Sequence, residues 1–133
     1  MACVFCRIAA GELPAHVVWE GDDLLAFLDI RPLNPGHLLV VPREHVPTVY
    51  DLPPPRYAAL MDGARRMAGR VAERLQPARV GLMVVGFDVD HAHVHVVPLH
   101  AVADLNLART LAPDYRPPTA EELAAMRRRL GDD

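Results

Sequence analysis

The segment 54–75 limits the possible folds of this chain more than any other feature, because its apolar residues repeat with helical spacing along its whole length. They recur at intervals of three and four residues, at Leu60, Ala64, Met67, Val71 and Leu75. Such spacing places them on one face of an α-helix. Gln76 and Pro77 follow, and a residue that precedes proline disfavours the helical backbone. We therefore predict one long helix over 54–75.

Short apolar runs bounded by turn residues flank this helix and predict β-strands. The runs cover residues 17–20, 24–29, 37–42, 80–85 and 93–98. The third run is continuously apolar and ends at a proline, so we place it centrally in the sheet. Near the C-terminus, Thr119 and Glu122 have capping-box spacing and open a helix through Leu130 that Gly131 can cap. The order predicts an α+β fold with an antiparallel sheet of about five strands, one long helix and a C-terminal helix.

Length and charge limit the classes of protein. A chain of 133 residues is expected to form a single domain, here 1–133, with a core that needs no metal or disulfide on grounds of size. A net charge of -3 gives no reason to expect a nucleic-acid polymer as partner. No run reaches the roughly 18 apolar residues of a membrane span, and the N-terminus lacks a signal pattern. We expect a cytoplasmic protein, in which Cys3 and Cys6 are thiols.

Two residue types are missing, and their absence excludes several mechanisms. The chain contains no serine and no lysine, so all 14 basic residues are arginine. Serine-based acyl transfer, Schiff-base chemistry and a P-loop lysine are therefore excluded. Histidine is plentiful, with seven copies in the chain, and imidazole becomes the leading candidate for any chemistry.

Three of the histidines alternate in the sequence. His91, His93 and His95 are predicted to share one face of a strand, with Ala92, Val94 and Val96 on the other. His-x-His is a common metal-ligand spacing, so a hydrolytic zinc site is one interpretation; a nucleophilic imidazole beside others that position an anionic substrate is the second. Cys3 and Cys6, with one or two histidines, complete a closed structural zinc site, or else are two ordinary thiols.

The chain resembles the histidine triad (HIT) family in four blocks that follow one another in the family's order. These blocks are CVFCRIAAGELP at 3–14, LAFLDI at 25–30, PGHLLVVPREH at 35–45 and HAHVHVVP at 91–98. The resemblance implies a homodimeric α+β fold that binds a purine nucleotide similar to AMP in a cleft beside the triad. The reaction it implies is hydrolysis or transfer at the α-phosphorus, through a nucleotidyl-histidine intermediate.

The same resemblance implies a role for individual residues. His93 matches the nucleophile, and the two histidines that approach the phosphate oxygens are His95 and His37. Asp29 matches the acceptor of the ribose hydroxyls, with Ile30 beside the sugar, although Asp29 after a strand is equally a turn residue. The apolar positions that flank the base are Phe5, Ile8 and Leu13, and core packing explains them about as well. A structural zinc ion is implied at Cys3, Cys6, His45 and His91.

One segment departs from the family pattern. The loop that precedes the triad is shorter here, and the polar residues that contact the phosphate in the family are missing from residues 84–90. Asp88 and Asp90 do not replace them while ionised, because a carboxylate repels a phosphate. Either backbone N–H groups near Gly86 bind the phosphate instead, or the activity and substrate choice differ from those of better-known members of the family. An alternative function is a zinc-stabilised, nucleotide-binding interaction module with little turnover. His16 and His100 match no functional position.

Overall fold

The computed structural model describes residues 3–131, so the outermost residues of the predicted domain 1–133 lie outside the described part. Its centre is a five-stranded antiparallel sheet in the order β1-β2-β3-β5-β4. The strands are β1 Val17–Glu20, β2 Leu24–Leu28, β3 Leu38–Pro42, β4 Arg79–Met83 and β5 Val94–Leu99. The helices are α1 Val4–Ala9, α2 Pro54–Leu75 and α3 Ala120–Leu130, with short 3-10 turns at Val49–Asp51, Val102–Asp104 and Leu107–Leu111. The α+β prediction is confirmed.

Both faces of the sheet are covered at its centre. Every residue of β2 and β3 is buried, which is why these strands read as continuous apolar runs. One face packs against α2 through the largest core cluster, to which α2 contributes Leu60, Ala64, Met67 and Val71. On the other face, Phe5 of α1 packs with the β2 residues Leu25 and Phe27. The N-terminal segment therefore covers part of the second face of the sheet.

Helix α2 has the bounds that its apolar spacing predicts. It ends where Gln76 takes left-handed backbone angles, with φ 52, before Pro77. Gly63 lets the helix approach the sheet closely, because a Cβ atom there would lie 2.8 Å from Leu24 Cδ1. Within residues 3–131, we find no helix that combines the length and apolar character of a membrane span.

The C-terminal helix begins and ends as expected from its sequence. The Thr119 side chain accepts a hydrogen bond from the Glu122 N–H, and the Glu122 carboxylate accepts one from the Thr119 N–H. Gly131 follows the last turn, but its φ of -78 is not left-handed, so the cap does not use the freedom of glycine. Arg70 and Arg74 of α2 donate to the Leu130 and Gly131 carbonyls, which fixes the end of α3 against α2.

Two details differ from the sequence prediction. Helix α1 was not predicted; its first turn is capped by Cys3, whose sulfur accepts from the Cys6 N–H at 3.4 Å. Some strand ends also differ by one residue from the predicted runs, so Asp29, His37 and His93 stand just outside β2, β3 and β5. Ahead of β5, the chain pairs with a loop, because the Ala92 N–H donates to the Val46 carbonyl at 2.7 Å.

Candidate active site and metal site

The triad histidines share one face of the chain, although only His95 lies within a regular strand. Ala92, Val94 and Val96 point into the core cluster beneath α2. His91, His93 and His95 point to the opposite face, where all three are buried. The Phe5 ring stands edge-on to the rings of His91 and His93, with centroid distances of 5.8 and 5.2 Å. The alternation expected from the sequence is therefore present.

A chain of hydrogen bonds sets the tautomers of two neighbouring rings. His37 Nδ1 accepts from the Leu33 N–H at 2.9 Å, so the proton of a neutral His37 is on Nε2. That Nε2–H donates to His95 Nδ1 at 2.9 Å. His95 must then carry its own proton on Nε2. The arrangement provides a neutral N–H donor next to the central histidine of the triad.

The central histidine has the opposite tautomer. His93 Nδ1–H donates to the His91 carbonyl at 2.6 Å, so the lone pair of the neutral ring is on Nε2. His93 Nε2 is buried and has no hydrogen-bond partner. Buried polar atoms are almost always partnered, so this one is a candidate for a functional role. In its neutral form this imidazole presents a lone pair with no competing partner, which a nucleophile requires.

Burial also sets the charge of the site. It lowers the pKa of His37 to about 3, with a further lowering by His95. Burial and the neighbouring His93 lower the pKa of His95 to about 4. Asp29 accepts from the Arg31 N–H at 2.8 Å, as a turn residue does, and its second oxygen lies 3.6 Å from His37 Nε2. Burial, with a smaller effect of the Asp88 charge, raises the pKa of Asp29.

These pKa values predict how stability depends on pH. In the unfolded chain the two rings titrate near the ordinary value of 6.5, whereas in the fold His37 and His95 stay neutral to about pH 3 and 4. Below about pH 6.5 the unfolded chain binds more protons, so the free energy of unfolding falls as the pH is lowered towards 4. Urea unfolding at several pH values measures this slope. The His37→Gln variant should have a shallower slope, and an unchanged slope would contradict the assignment.

A second cluster joins the N-terminus to the triad. The Nε2–H of His91 donates to the Pro42 carbonyl at 2.8 Å, so its Nδ1 lone pair points away from the sheet. That Nδ1 lies 3.4 Å from Cys3 Sγ, 3.5 Å from Cys6 Sγ and 3.3 Å from His45 Nδ1. His45 Nδ1 and Cys6 Sγ are 3.2 Å apart. Two sulfurs and two ring nitrogens thus converge on one point.

These distances fit a tetrahedral zinc shell. With usual Zn–N and Zn–S bond lengths, two nitrogens are about 3.3 Å apart and a nitrogen and a sulfur about 3.6 Å. All four donor atoms lie within 4.8 Å of one another. Because four protein ligands fill a tetrahedron, the site would be closed and structural. The residues present therefore fit the metal that the resemblance implies.

The geometry disfavours a catalytic metal held by the triad. Asp29, His37 and His95 also place donor atoms within 4.8 Å of one another. The facing nitrogens of the two histidines, however, already share a hydrogen bond. The triad rings point to different partners: a carbonyl and the cysteines for His91, a carbonyl for His93, and His37 for His95. They do not share one metal position.

The predicted base-binding residues separate into two groups. Ile8 and Leu13 line a cavity of about 230 Å³, which Arg43 also borders. Phe5 is instead a buried core residue that stands edge-on to Phe27, with a centroid distance of 5.4 Å. Ile30 is exposed beside Asp29. Of the three apolar residues, two therefore line open space, and Phe5 packs against His91 and His93.

The loop before the triad contributes a residue whose position the sequence did not reveal. Gly86 has a φ of 85, which turns the chain back towards the histidines. Asp88 Oδ1 then lies 3.8 Å from His93 Nε2. The His16 carbonyl accepts a hydrogen bond from the Leu28 N–H, and the His100 N–H donates to Asp104 Oδ2. The mouth of the site therefore carries a carboxylate.

The family model for the HIT domain matches residues 10–102. The chain belongs to the HIT family. A zinc-bound histidine triad family protein from Mycobacterium smegmatis superposes with a TM-score of 0.79 at 32% identity, covering 98% of this chain and 94% of the other.

Two HIT relatives have names that state an activity. The adenylylsulfatase HINT3 of Arabidopsis thaliana is 33% identical, over 72% of this chain and 51% of its own. The adenosine 5'-monophosphoramidase hnt1 of Schizosaccharomyces pombe is 31% identical, over 74% of both chains. Both names refer to substrates that contain an adenosine 5'-phosphate group.

Proposed function

We propose that this HIT protein is a nucleotide hydrolase or transferase that acts at the α-phosphorus of nucleoside phosphoramidates or dinucleoside polyphosphates. The observation that carries the proposal is the buried, unpartnered His93 Nε2, with its lone pair fixed by the Nδ1–H bond to the His91 carbonyl. The adenylyl substrates named for the two relatives support the same reaction centre. AMP and similar purine nucleotides are the proposed ligands, with no nucleic-acid polymer.

The reaction proceeds in two displacements. The lone pair of His93 Nε2 forms a bond to the α-phosphorus, and the bond from phosphorus to the leaving group breaks with its electron pair on the leaving group. Water then attacks the same phosphorus, loses a proton to solvent, and the P–N pair returns to Nε2. The His95 Nε2–H donates to a phosphate oxygen as charge develops. His37 holds that tautomer through its bond to His95.

The remaining roles complete the proposed site. Asp29 accepts hydrogen bonds from the ribose hydroxyls, and Ile30 lies beside the sugar. The base enters the space bordered by Ile8 and Leu13, behind which Phe5 supports the triad. Cys3, Cys6, His45 and His91 would hold a zinc ion, which stabilises the fold and takes no part in the displacement. We further propose a single cytoplasmic domain that forms a homodimer, with no association with membranes.

The covalent step can be tested directly. We expect an adenosine 5'-phosphoramidate to load the protein with one AMP group, because attack by His93 Nε2 forms a phosphorus–nitrogen bond. Such a bond survives alkali and is lost in acid. Intact mass spectrometry after an alkaline quench, followed by peptide mapping, measures the adduct and its position. Turnover with an adduct on another residue, or with none under single-turnover conditions, would contradict the mechanism.

One observation favours a second function. Asp88 stands where phosphate donors are expected, and its carboxylate faces the nucleophile. A carboxylate there opposes the negative charge that develops on the phosphate oxygens during displacement, so it would lower turnover more than nucleotide binding. Calorimetry with AMP, run beside the turnover assay, separates the two. Binding without turnover of any adenylyl compound would favour the module.

A further inference from the structure

The loop residue Asp88 holds a negative charge at the open side of the nucleophile. Its Oδ1 lies 3.8 Å from His93 Nε2, and its side chain is 75% exposed whereas that of His93 is 1% exposed. The same oxygen accepts a hydrogen bond from the Val89 N–H at 3.1 Å, and this bond orients the carboxylate on the loop. The charge therefore belongs to the entrance of the site, outside the buried row of histidines.

Arg31, two residues after Asp29, and Arg109 are both engaged by other groups. Arg31 donates to the Thr110 carbonyl and stacks on the Tyr115 ring, 4.9 Å from its centroid. Arg109 donates to the Leu33 carbonyl. The sequence contains no lysine that would replace them. Burial is the main cause of the raised pKa of Asp29, and the charges of Asp88 and Arg31 act on that pKa in opposite directions. Asp88 therefore adds a negative charge close to the nucleophile, at the exposed side of the site.

We propose that Asp88 is a specificity-determining residue that selects leaving groups with positive charge. The inference rests on the proposed function. Asp88 lies 3.8 Å from His93 Nε2 and is mostly exposed, so a leaving group that extends from the α-phosphorus towards solvent comes within range of its charge. A carboxylate there attracts a cationic amine and repels an anion such as diphosphate or sulfate. The preferred substrates are nucleoside phosphoramidates of amines that carry a further ammonium group.

The chemical step accommodates this selection without a proton transfer by Asp88. The phosphoramidate nitrogen enters the step protonated. His93 Nε2 forms the new bond to phosphorus with its lone pair, and the old phosphorus–nitrogen bond breaks with its pair on the departing nitrogen. The amine therefore leaves neutral at that nitrogen. The Asp88 carboxylate stabilises the positive charge on the nitrogen before departure, and on the second ammonium throughout.

The experiment compares two adenosine 5'-phosphoramidates of matched length, one formed with 1,3-diaminopropane and the other with β-alanine. They share the reacting bond and differ in the sign of the distal charge. For the wild type we expect kcat/KM to favour the ammonium compound by about tenfold or more. The Asp88→Asn variant, which keeps the acceptor for the Val89 N–H, should reduce the ratio towards one. Asp90→Asn is the matched control, since Asp90 is an exposed carboxylate on the same loop, and should keep the wild-type ratio.

The outcomes separate this inference from the proposed function. Turnover of both compounds at equal kcat/KM by the wild type would overturn the role of Asp88, and so would a wild-type ratio in Asp88→Asn. An equal drop in the Asp90→Asn ratio would assign the effect to net loop charge and also overturn it. If the wild type cleaves neither compound nor adenylyl sulfate, the proposed function fails. Equal thermal midpoints confirm that the variants fold.

Discussion

Replacing His93 with alanine should lower kcat/KM for an adenosine 5'-phosphoramidate by at least about 10³-fold, because no other group supplies a free lone pair at that place. His93 Nε2 is the buried ring nitrogen without a hydrogen-bond partner in the described structure. AMP affinity should change little, since the proposed ribose and base contacts lie elsewhere. A discontinuous turnover assay measures the first quantity, and calorimetry measures the second.

Two further variants test whether lost turnover in His93→Ala comes from a loss of folding. His93→Gly leaves a cavity beside Phe5, and free imidazole bound there should restore part of the turnover by acting as the nucleophile. His100→Ala removes an exposed histidine outside the site and should retain wild-type turnover. Wild-type activity in His93→Ala would contradict covalent catalysis by this residue. Loss of turnover without rescue, together with a lowered thermal midpoint, would indicate a structural role instead.

Most of the helices and strands could be predicted from the sequence, because each is specified by its own local residue pattern. Helix α2 matches its predicted bounds since its apolar face repeats over 22 residues and Gln76-Pro77 ends it. The strands of the sheet match their apolar runs to within two residues. Helix α1 was missed because it has only six residues and depends on a cysteine cap, a weak signal in sequence.

Part of the candidate site could also be predicted from the sequence, but through the family resemblance and not through local patterns. The residues that the family resemblance groups around a metal do converge in the fold, as do His37 and His95. Their tautomers depend on distant backbone groups, such as the Leu33 N–H and the Pro42 carbonyl, which no sequence pattern specifies. The approach of Asp88 to His93 depends on the left-handed turn at Gly86. Tertiary contacts of this kind become visible only in the structure.

The second large effect concerns the metal. Protein purified without a histidine tag or chelator should contain about one zinc ion per chain, and His45→Ala should lose it. Because structural zinc contributes its binding free energy to folding, we expect the thermal midpoint to fall by about 10 °C or more, for a loss of several kcal/mol. His45 is the best position to change, since it is an exposed ligand and not part of the core. Metal analysis and thermal unfolding measure the two effects.

Cys3→Ser and His16→Ala serve as controls for that result. Serine at position 3 retains a side-chain cap for the Cys6 N–H but is a poor zinc ligand, so loss of metal there isolates coordination from capping. His16→Ala removes a histidine outside the cluster and should keep the metal.

The metal should also influence turnover, through His91. One ring nitrogen of His91 would bind the metal, while its carbonyl accepts the His93 Nδ1–H that fixes the nucleophile. Because the bond to the Pro42 carbonyl still holds the ring, removal of the metal should lower kcat modestly and destabilise the protein strongly. A catalytic metal predicts the reverse, with activity abolished at an unchanged thermal midpoint. Freshly prepared protein without metal, or a midpoint insensitive to chelation, would contradict a structural zinc site.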